Sequence, residues 1–161
     1  MVTSPDAAGM SATWSWDGNQ WTQLNEAPLG TNGQLTFDPV GKQMLYCASP
    51  PAPASSVTYA WTGKAWKQLS DIGPVFIDQQ SYAYSDGAEA LAYFTSALQT
   101  WSWSGKGWLQ RQNMGPSART DVSIAGDIKR KRLVLFGGSV TGNPNTTVAE
   151  TWVLQRSTPP A

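Results

Sequence analysis

A hairpin rich in tryptophan occurs three times along this chain and constrains its fold more than any other feature of the sequence. The copies span residues 14–21, 59–66 and 101–108, and each has a glycine in its turn. The equivalent residues Trp16, Trp61 and Trp103 recur at a spacing of roughly 40 to 45 residues, a period typical of arrays that stack one supersecondary unit repeatedly. The chain is therefore predicted to be a repeat protein.

Each repeat contains four short segments in which apolar and polar residues alternate. This alternation indicates half-buried β-strands. The glycines of the three turns, Gly18, Gly63 and Gly105, supply the positive φ that short hairpin turns need. The pattern predicts the third and fourth strands of one set, then two complete sets, then the first three strands of a last set. Residues 12–156 form this segment, and residues 1–11 and 157–161 are predicted to be unstructured.

The composition favours an all-β fold. Nine tryptophans and 14% charged residues are typical of short strands with large flat side chains packed between layers. A four-stranded antiparallel unit cannot bury both of its faces alone, so neighbouring units must stack around an axis. We therefore predict an all-β chain made of β-propeller blades of four antiparallel strands, with about three blades per chain.

Charge and residue content exclude several classes of function. Lys plus Arg and Asp plus Glu number 11 each, so there is no overall field to attract nucleic acid. The sequence has no histidine, which removes the usual general base and the usual ligands of zinc and copper. The single cysteine, Cys47, is predicted to be a small buried strand residue. No metal, cofactor, membrane span or signal peptide is predicted from these residues.

Motifs in the last repeat resemble those of bacterial kelch-type repeats. Residues 133–138 read Leu-Val-Leu-Phe-Gly-Gly, residues 150–152 read Glu-Thr-Trp, and residues 115–119 read Gly-Pro-Ser-Ala-Arg. The resemblance covers nearly the whole chain, but only the last repeat has the double glycine. It implies a propeller related to the central domain of galactose oxidase, usually with six or seven blades. The copper chemistry of that enzyme is not implied, because it depends on histidines.

A ring of about three blades is too tightly curved to close. We predict a homodimer in which the N-terminal hairpin of one copy completes a blade begun by the C-terminal strands of the other, giving six blades. This arrangement would hide open strand edges. The alternative is that the chain is a fragment or a degenerate array.

A ligand site is predicted at the loop end of the strands, where the connections between second and third strands and between repeats emerge. Loops on a repeated scaffold commonly carry binding residues. The predicted ligand contacts are Asn32, Asp78, Gln79, Arg119 and Asp121. The alternative is that these side chains only cap strands and turns.

The tryptophans allow a second site prediction, because indole rings stack on sugars. The residues concerned are Trp14, Trp16, Trp61, Trp101 and Trp103. Their regular recurrence favours packing between blades over sugar binding.

The most consistent function is a non-catalytic module that mediates protein interaction or scaffolding through its loop end. The alternatives are a carbohydrate-binding propeller and a piece of a larger extracellular sensor or receptor. No enzyme activity is predicted; Asp78 and Asp121 would be the carboxylates of a glycoside hydrolase, but neither lies in a recognisable catalytic motif. An extracellular or cell-envelope location is favoured.

Overall fold

The structure, a computed structural model, describes most of the chain and is almost entirely β. The described residues are 2–5, 11–27, 31–50, 56–75, 81–85, 87, 89–94, 99–112, 115–140 and 146–155. They form sixteen strands in five antiparallel sheets, two of which have four strands. Within these ranges there is no α-helix, and one turn of 3-10 helix spans Ile128–Arg130. The all-β prediction is confirmed.

Four of the sheets correspond to the successive repeats of the sequence. The first contains β1 (Val2–Pro5), β2 (Ser11–Trp16) and β3 (Trp21–Ala27). The second contains β4 (Thr31–Asp38), β5 (Gln43–Ser49), β6 (Val57–Trp61) and β7 (Trp66–Ser70). The third contains β8 (Ser81–Ser85), β9 (Ala90–Phe94), β10 (Gln99–Trp103) and β11 (Trp108–Gln112).

The C-terminal part of the chain forms the fourth sheet and a small ribbon. The ribbon pairs β12 (Arg119–Thr120) with β15 (Ser139–Val140). The fourth sheet contains β13 (Ser123–Asp127), β14 (Arg132–Phe136) and β16 (Thr151–Gln155). The four larger sheets are antiparallel meanders, whereas the ribbon pairs two strands that are not consecutive in the sequence.

The three tryptophan hairpins form because their turns are specified locally. Gly18, Gly63 and Gly105 all have positive φ, between 88° and 104°. The Asp17 carboxylate accepts hydrogen bonds from the backbone N–H groups two and three residues later, at 2.8 and 2.9 Å. The Thr62 hydroxyl accepts a similar bond from the backbone N–H three residues later, at 3.1 Å. Such side-chain turns stabilise short hairpins, and the predicted positions of the hairpins are confirmed.

A register shift recurs at the same place in all three hairpins. It lies at Ala12 to Trp14, Thr58 to Tyr59, and Thr100 to Trp101. A bulge of this kind increases the local twist of a strand pair. The repeats therefore share a backbone irregularity as well as their tryptophans.

A buried cluster joins the second sheet to the third. It contains Leu45, Cys47 and Ala60 of the second sheet together with Trp103 and Trp108 of the third. Strand β4 also contacts β8, and β8 contacts β13, so the first strands of successive sheets meet one another. The sheets are therefore stacked face to face in chain order.

Two hydrogen bonds from tryptophan to threonine join successive sheets. The Trp66 indole Nε1–H of the second sheet donates to the Thr13 hydroxyl of the first, at 2.7 Å. The Trp108 Nε1–H of the third sheet donates to the Thr58 hydroxyl of the second, at 2.8 Å, and this bond is buried. Donor and acceptor occupy equivalent positions in both pairs, so one interface is built twice.

The N-terminal segment differs from the prediction. Residues 1–11 are predicted to be unstructured, but Val2–Pro5 form β1 and pair with β2, from Val2 opposite Trp14 to Pro5 opposite Ser11. The prediction is wrong for Val2–Pro5 and for Ser11. The physical reason is that β2 would otherwise expose a row of unpaired backbone groups along its edge. The predicted tail, residues 157–161, lies outside the described part of the chain.

The strand edges needed for a blade shared between two copies are occupied within one chain. Strand β16 pairs with β14 along its length, from Arg132 opposite Gln155 to Phe136 opposite Thr151. Strand β1 pairs with β2 on the side away from β3. A hairpin that completed the fourth sheet would have to displace β16. The geometry therefore favours contact through sheet faces over exchange of strands.

We predict that Thr58→Val and Thr100→Val have different effects, although both threonines occupy the same repeat position and are buried. Thr58→Val removes the acceptor of a buried indole N–H and should lower the free energy of unfolding by about 1–3 kcal/mol. The Thr100 hydroxyl has no hydrogen-bond partner, so Thr100→Val should change stability little or raise it. Urea denaturation of the two variants checks this, and equal losses would contradict the role given to the Trp108 bond.

Candidate functional site

The loop end of the fourth sheet is the best-defined candidate surface in the described part of the chain. Strand β13 begins there, β14 ends there and β16 begins there, because the three strands form an antiparallel meander. The ribbon of β12 and β15 extends this end, and Ser139 also bridges to Thr147. The connection between β14 and β16 is thus held against the segment that leads into β13.

Arg119 holds this end of the sheet together. Its side chain is 1% exposed, and its Nε donates to the Ser117 carbonyl oxygen at 3.0 Å. One terminal nitrogen donates to the Gly137 carbonyl oxygen at 3.2 Å. The other donates to the Ser117 hydroxyl at 2.9 Å and to a Glu150 carboxylate oxygen at 3.0 Å. The guanidinium therefore links three chain segments that are distant in the sequence.

The double glycine is favoured by its backbone conformation and, at Gly138, also by close packing around the ribbon. Gly137 and Gly138 have φ values of 72° and 98°, which strongly favour glycine. A Cβ at Gly138 would lie 2.6 Å from Val122 Cγ1 and 2.7 Å from the Thr120 carbonyl oxygen. The glycine pair and Arg119 thus serve one structural purpose, which is to bring β15 against β12.

Glu150 is the acidic partner of this cluster. Its Oε2 accepts a hydrogen bond from the Trp152 indole at 2.9 Å and the bond from Arg119. These two donors, Trp152 first, lower the pKa of the Glu150 carboxyl below its ordinary value. The carboxylate is about half exposed, so it lies at the boundary between the buried arginine and solvent.

Asp121 lies next to this cluster and is exposed to solvent. It has a φ of 55°, a left-handed conformation that only a few per cent of residues other than glycine adopt. The Thr120 hydroxyl donates to its carboxylate at 2.8 Å. The ribbon therefore presents an oriented carboxylate at the loop end.

The structure separates the residues that the sequence predicts as ligand contacts. Arg119 and Asp121 lie at the same end of the fourth sheet, but Arg119 is buried and bonded to the protein itself. Asn32 lies in β4. Asp78 and Gln79 lie outside the described residues. Ligand binding by all five remains a prediction, as does the alternative that these side chains only cap strands and turns; Arg119 itself donates to the backbone carbonyl oxygens of Ser117 and Gly137.

The tryptophans divide into buried and exposed positions. Trp103 is 1% exposed and lies in the core, as the packing interpretation predicts. Trp14, Trp61 and Trp101 are partly buried. Trp16 is 48% exposed, so packing within one chain does not account for it.

Sequence reasoning missed Glu150 and Trp152 as members of the candidate site. In the sequence they stand out only as part of the kelch-like pattern. Their signal is the Glu-x-Trp spacing, which places Glu150 directly before β16 and Trp152 at its second residue, near the same end. The pattern does not identify Arg119 as the partner of Glu150, because the two residues are 31 positions apart in the sequence.

The chemistry available in the described ranges is limited. They contain no group of three His, Cys, Asp or Glu side chains arranged to hold a metal ion. Cys47 is buried, as predicted, and its burial raises the pKa of the thiol to about 12. No helix in the described part of the chain is long and apolar enough to cross a membrane.

Comparison with known proteins adds no assignment to this geometry. No protein-family model matches the chain, and no curated protein matches it. The kelch resemblance therefore stays a prediction that depends on the motifs and on their placement around Arg119.

We predict that Arg119→Lys destabilises the protein. Lysine cannot reproduce the planar set of donors that reaches the Ser117 and Gly137 carbonyl oxygens, so the free energy of unfolding should fall by about 3 kcal/mol. Arg130→Lys is the matched control, because Arg130 is an exposed arginine that bonds Asp127, and it should cost less than about 0.5 kcal/mol. Chemical denaturation measures both. Equal effects would show that the buried contacts of Arg119 contribute little.

We predict that Glu150→Gln removes part of the acid sensitivity of folding. The pKa of Glu150 is lower in the folded protein than its ordinary value of 4.5. Its stabilising effect is therefore complete above that ordinary value and is lost as the pH falls through the folded pKa. The stability difference between the wild type and the variant should shrink between neutral pH and about pH 3. A difference independent of pH, measured by urea denaturation, would contradict this.

Proposed function

We propose that this chain is a kelch-type propeller segment that acts as a non-catalytic module and holds a protein partner at its loop end. Three observations support this proposal. The sheets are stacked in chain order, two of the sheets have four strands each, and the kelch-like motifs meet around Arg119. The first strands of successive sheets contact one another, as they do around a propeller axis. A second copy of the chain completes the ring.

The observation that carries this proposal is the exposed, oriented carboxylate of Asp121. A left-handed residue costs free energy and persists only where its surroundings determine it. Here the ribbon beside it is anchored by the buried guanidinium of Arg119. A carboxylate held in this way can accept hydrogen bonds from a partner's backbone or from a cationic side chain. A protein segment offers both kinds of donor.

Glycan binding is the second candidate, and one observation favours it. Trp152 is 43% exposed beside the Glu150 carboxylate. An exposed indole face next to a carboxylate can stack on a sugar ring and accept bonds from its hydroxyl groups. The two candidate functions require different residues for binding, because protein binding depends on Asp121 and glycan binding depends on Trp152.

The test for the protein-binding candidate uses peptides selected from a random display library on the immobilised full chain. We expect the selected peptides to lose at least about tenfold in affinity for Asp121→Lys, since the variant reverses the charge that accepts their donors. They should bind Lys106→Glu normally, because Lys106 lies in a hairpin turn at the other end of its sheet. Equal binding to both variants would overturn the proposal.

The glycan candidate is tested with the same proteins. The fluorescence of the chain is titrated with a panel of mono- and oligosaccharides. A spectral change that disappears in Trp152→Ala but remains in Asp121→Lys would replace the protein-binding proposal with the glycan one. We expect no such change.

A further inference from the structure

Two sheet faces at opposite ends of the stack carry exposed apolar side chains. On the first sheet, Trp16 and Trp21 are 48% and 50% exposed. On the fourth sheet, Phe136 and Val153 are 53% and 42% exposed. We name these the Trp face and the Phe face. Side chains of this size are usually buried in a packed array.

The Trp face repeats one half of the buried contact between the second and third sheets. Trp103 lies opposite Trp108 in the third sheet, and Trp16 lies opposite Trp21 in the first. The ring centroids are 5.5 Å apart in both pairs. The Trp103 pair is covered by the second sheet, whereas the Trp16 pair is uncovered in the described chain.

The Phe face repeats the other half of that contact. In the second sheet, Leu45, Cys47 and Ala60 receive the tryptophans, with Cys47 opposite Thr58 and Leu45 opposite Ala60. The fourth sheet has the same register, with Phe136 opposite Thr151 and Val134 opposite Val153. By this register, Val134, Phe136 and Val153 correspond to Leu45, Cys47 and Ala60. Thr151 corresponds to Thr58, which accepts the indole bond.

Both faces point away from the sheets of their own chain. On β2, Thr13 alternates with Trp14 and Trp16, and the Thr13 side is the one that Trp66 occupies. On β14, Leu135 alternates with Val134 and Phe136, and Leu135 lies in a buried cluster with Ile124. Since alternate strand residues point to opposite faces, the Trp face and the Phe face are the two outer surfaces of the stack.

We propose that the Trp face of one copy packs on the Phe face of a second copy of this chain, with the Trp21 indole Nε1–H donating to the Thr151 hydroxyl of the second copy. The occupant is identified by continuity with an interface already present, because the chain carries both halves of the contact that it makes internally. No foreign partner has to supply a matching register. The proposal rests on the propeller arrangement proposed above and is independent of the ligand at the loop end.

Two such contacts close a ring. Each copy supplies one Trp face and one Phe face, so a twofold axis relates two equivalent contacts and leaves no outer face open. Two copies contribute eight stacked sheets, which lies within the range of about four to eight blades found in propellers. This differs from the six blades predicted from the sequence, because β1 and β16 remain paired within their own chains.

The proposal excludes two simpler pairings. A Trp face against a second Trp face would bury two indole N–H groups without the threonine acceptor, which costs free energy. A Phe face against a second Phe face would bury the Thr151 hydroxyl without a donor. Only the mixed pairing reproduces the contact between the second and third sheets.

The first experiment is the mass of the purified full chain by sedimentation and light scattering over micromolar concentrations. We expect twice the mass of one chain. Phe136→Lys and Val153→Lys should each raise the dissociation constant at least about a hundredfold, because each buries an unpaired charge. Leu109→Lys is the matched control, since Leu109 is also exposed on an edge strand but lies outside both faces. It should leave the mass unchanged.

The second experiment mixes two variants and tests which faces meet. Trp21→Lys disrupts the Trp face and Phe136→Lys disrupts the Phe face, so each variant alone should be monomeric. Mixed together, they should form a heterodimer through the single intact pair of faces. A dimer of Phe136→Lys by itself would mean that Trp faces pair with each other, and a heterodimer that failed to form would equally overturn the proposal.

The outcomes separate this proposal from the proposed function. Unfolding midpoints and the total tryptophan emission, compared before and after denaturation, establish that each variant is folded. A wild-type chain that is monomeric, or that grows into long polymers, would overturn the ring contact whatever it binds. If such a chain still held the selected peptides through Asp121, the proposed function would stand. If the chain formed the dimer but bound no peptide through Asp121, the ring contact would stand and the proposed function would be overturned.

Discussion

The hydrogen bond from a tryptophan indole to a threonine of the preceding sheet is the contact on which the stacking of the first three sheets depends. It occurs from Trp66 to Thr13 and from Trp108 to Thr58. A strand pair alone is only marginally stable, so each sheet needs its neighbour. The large apolar indole supplies buried area, and its single donor fixes where the ring must sit. One residue therefore provides both the energy and the register of stacking.

This dependence explains why threonines at one repeat position have different environments. Thr58 accepts the bond that Trp108 of the next sheet donates, whereas Thr100 is equally buried but its hydroxyl has no hydrogen-bond partner among the described residues. The fourth sheet has no paired fourth strand among the described residues, so no tryptophan reaches Thr100 from there. Thr151 occupies the same position on an outer face and is exposed. The repeat defines a position, and the neighbouring sheet determines whether the hydroxyl is satisfied.

The local parts of the fold could be predicted from the sequence, whereas the contacts between distant segments could not. The hairpins were predictable because glycine and the preceding polar side chain specify each turn within a few residues. Strand β1 could not be predicted in this way, because Val2–Pro5 are held extended only by their pairing with the edge of β2. The sequence predicts that Arg119 contacts a ligand, because it places this residue in a loop, whereas the structure places it in β12. Its acceptors on Gly137 and Glu150 lie 18 and 31 residues away, and nothing in the local pattern identifies them.

Closing a stack through faces differs physically from closing it through strand edges. Insertion of the N-terminal hairpin of a second copy beside β14 would satisfy backbone groups, but it would require β16 to leave β14 and would cost the hydrogen bonds already made there. A face contact breaks nothing and buries side chains that are exposed in one copy. Because apolar burial contributes roughly 25 cal/mol for each Å² removed from water, covering Trp16, Trp21, Phe136 and Val153 favours association without any rearrangement. On the proposed contact, the exposed Trp16 and Trp21 serve packing between two copies of the chain.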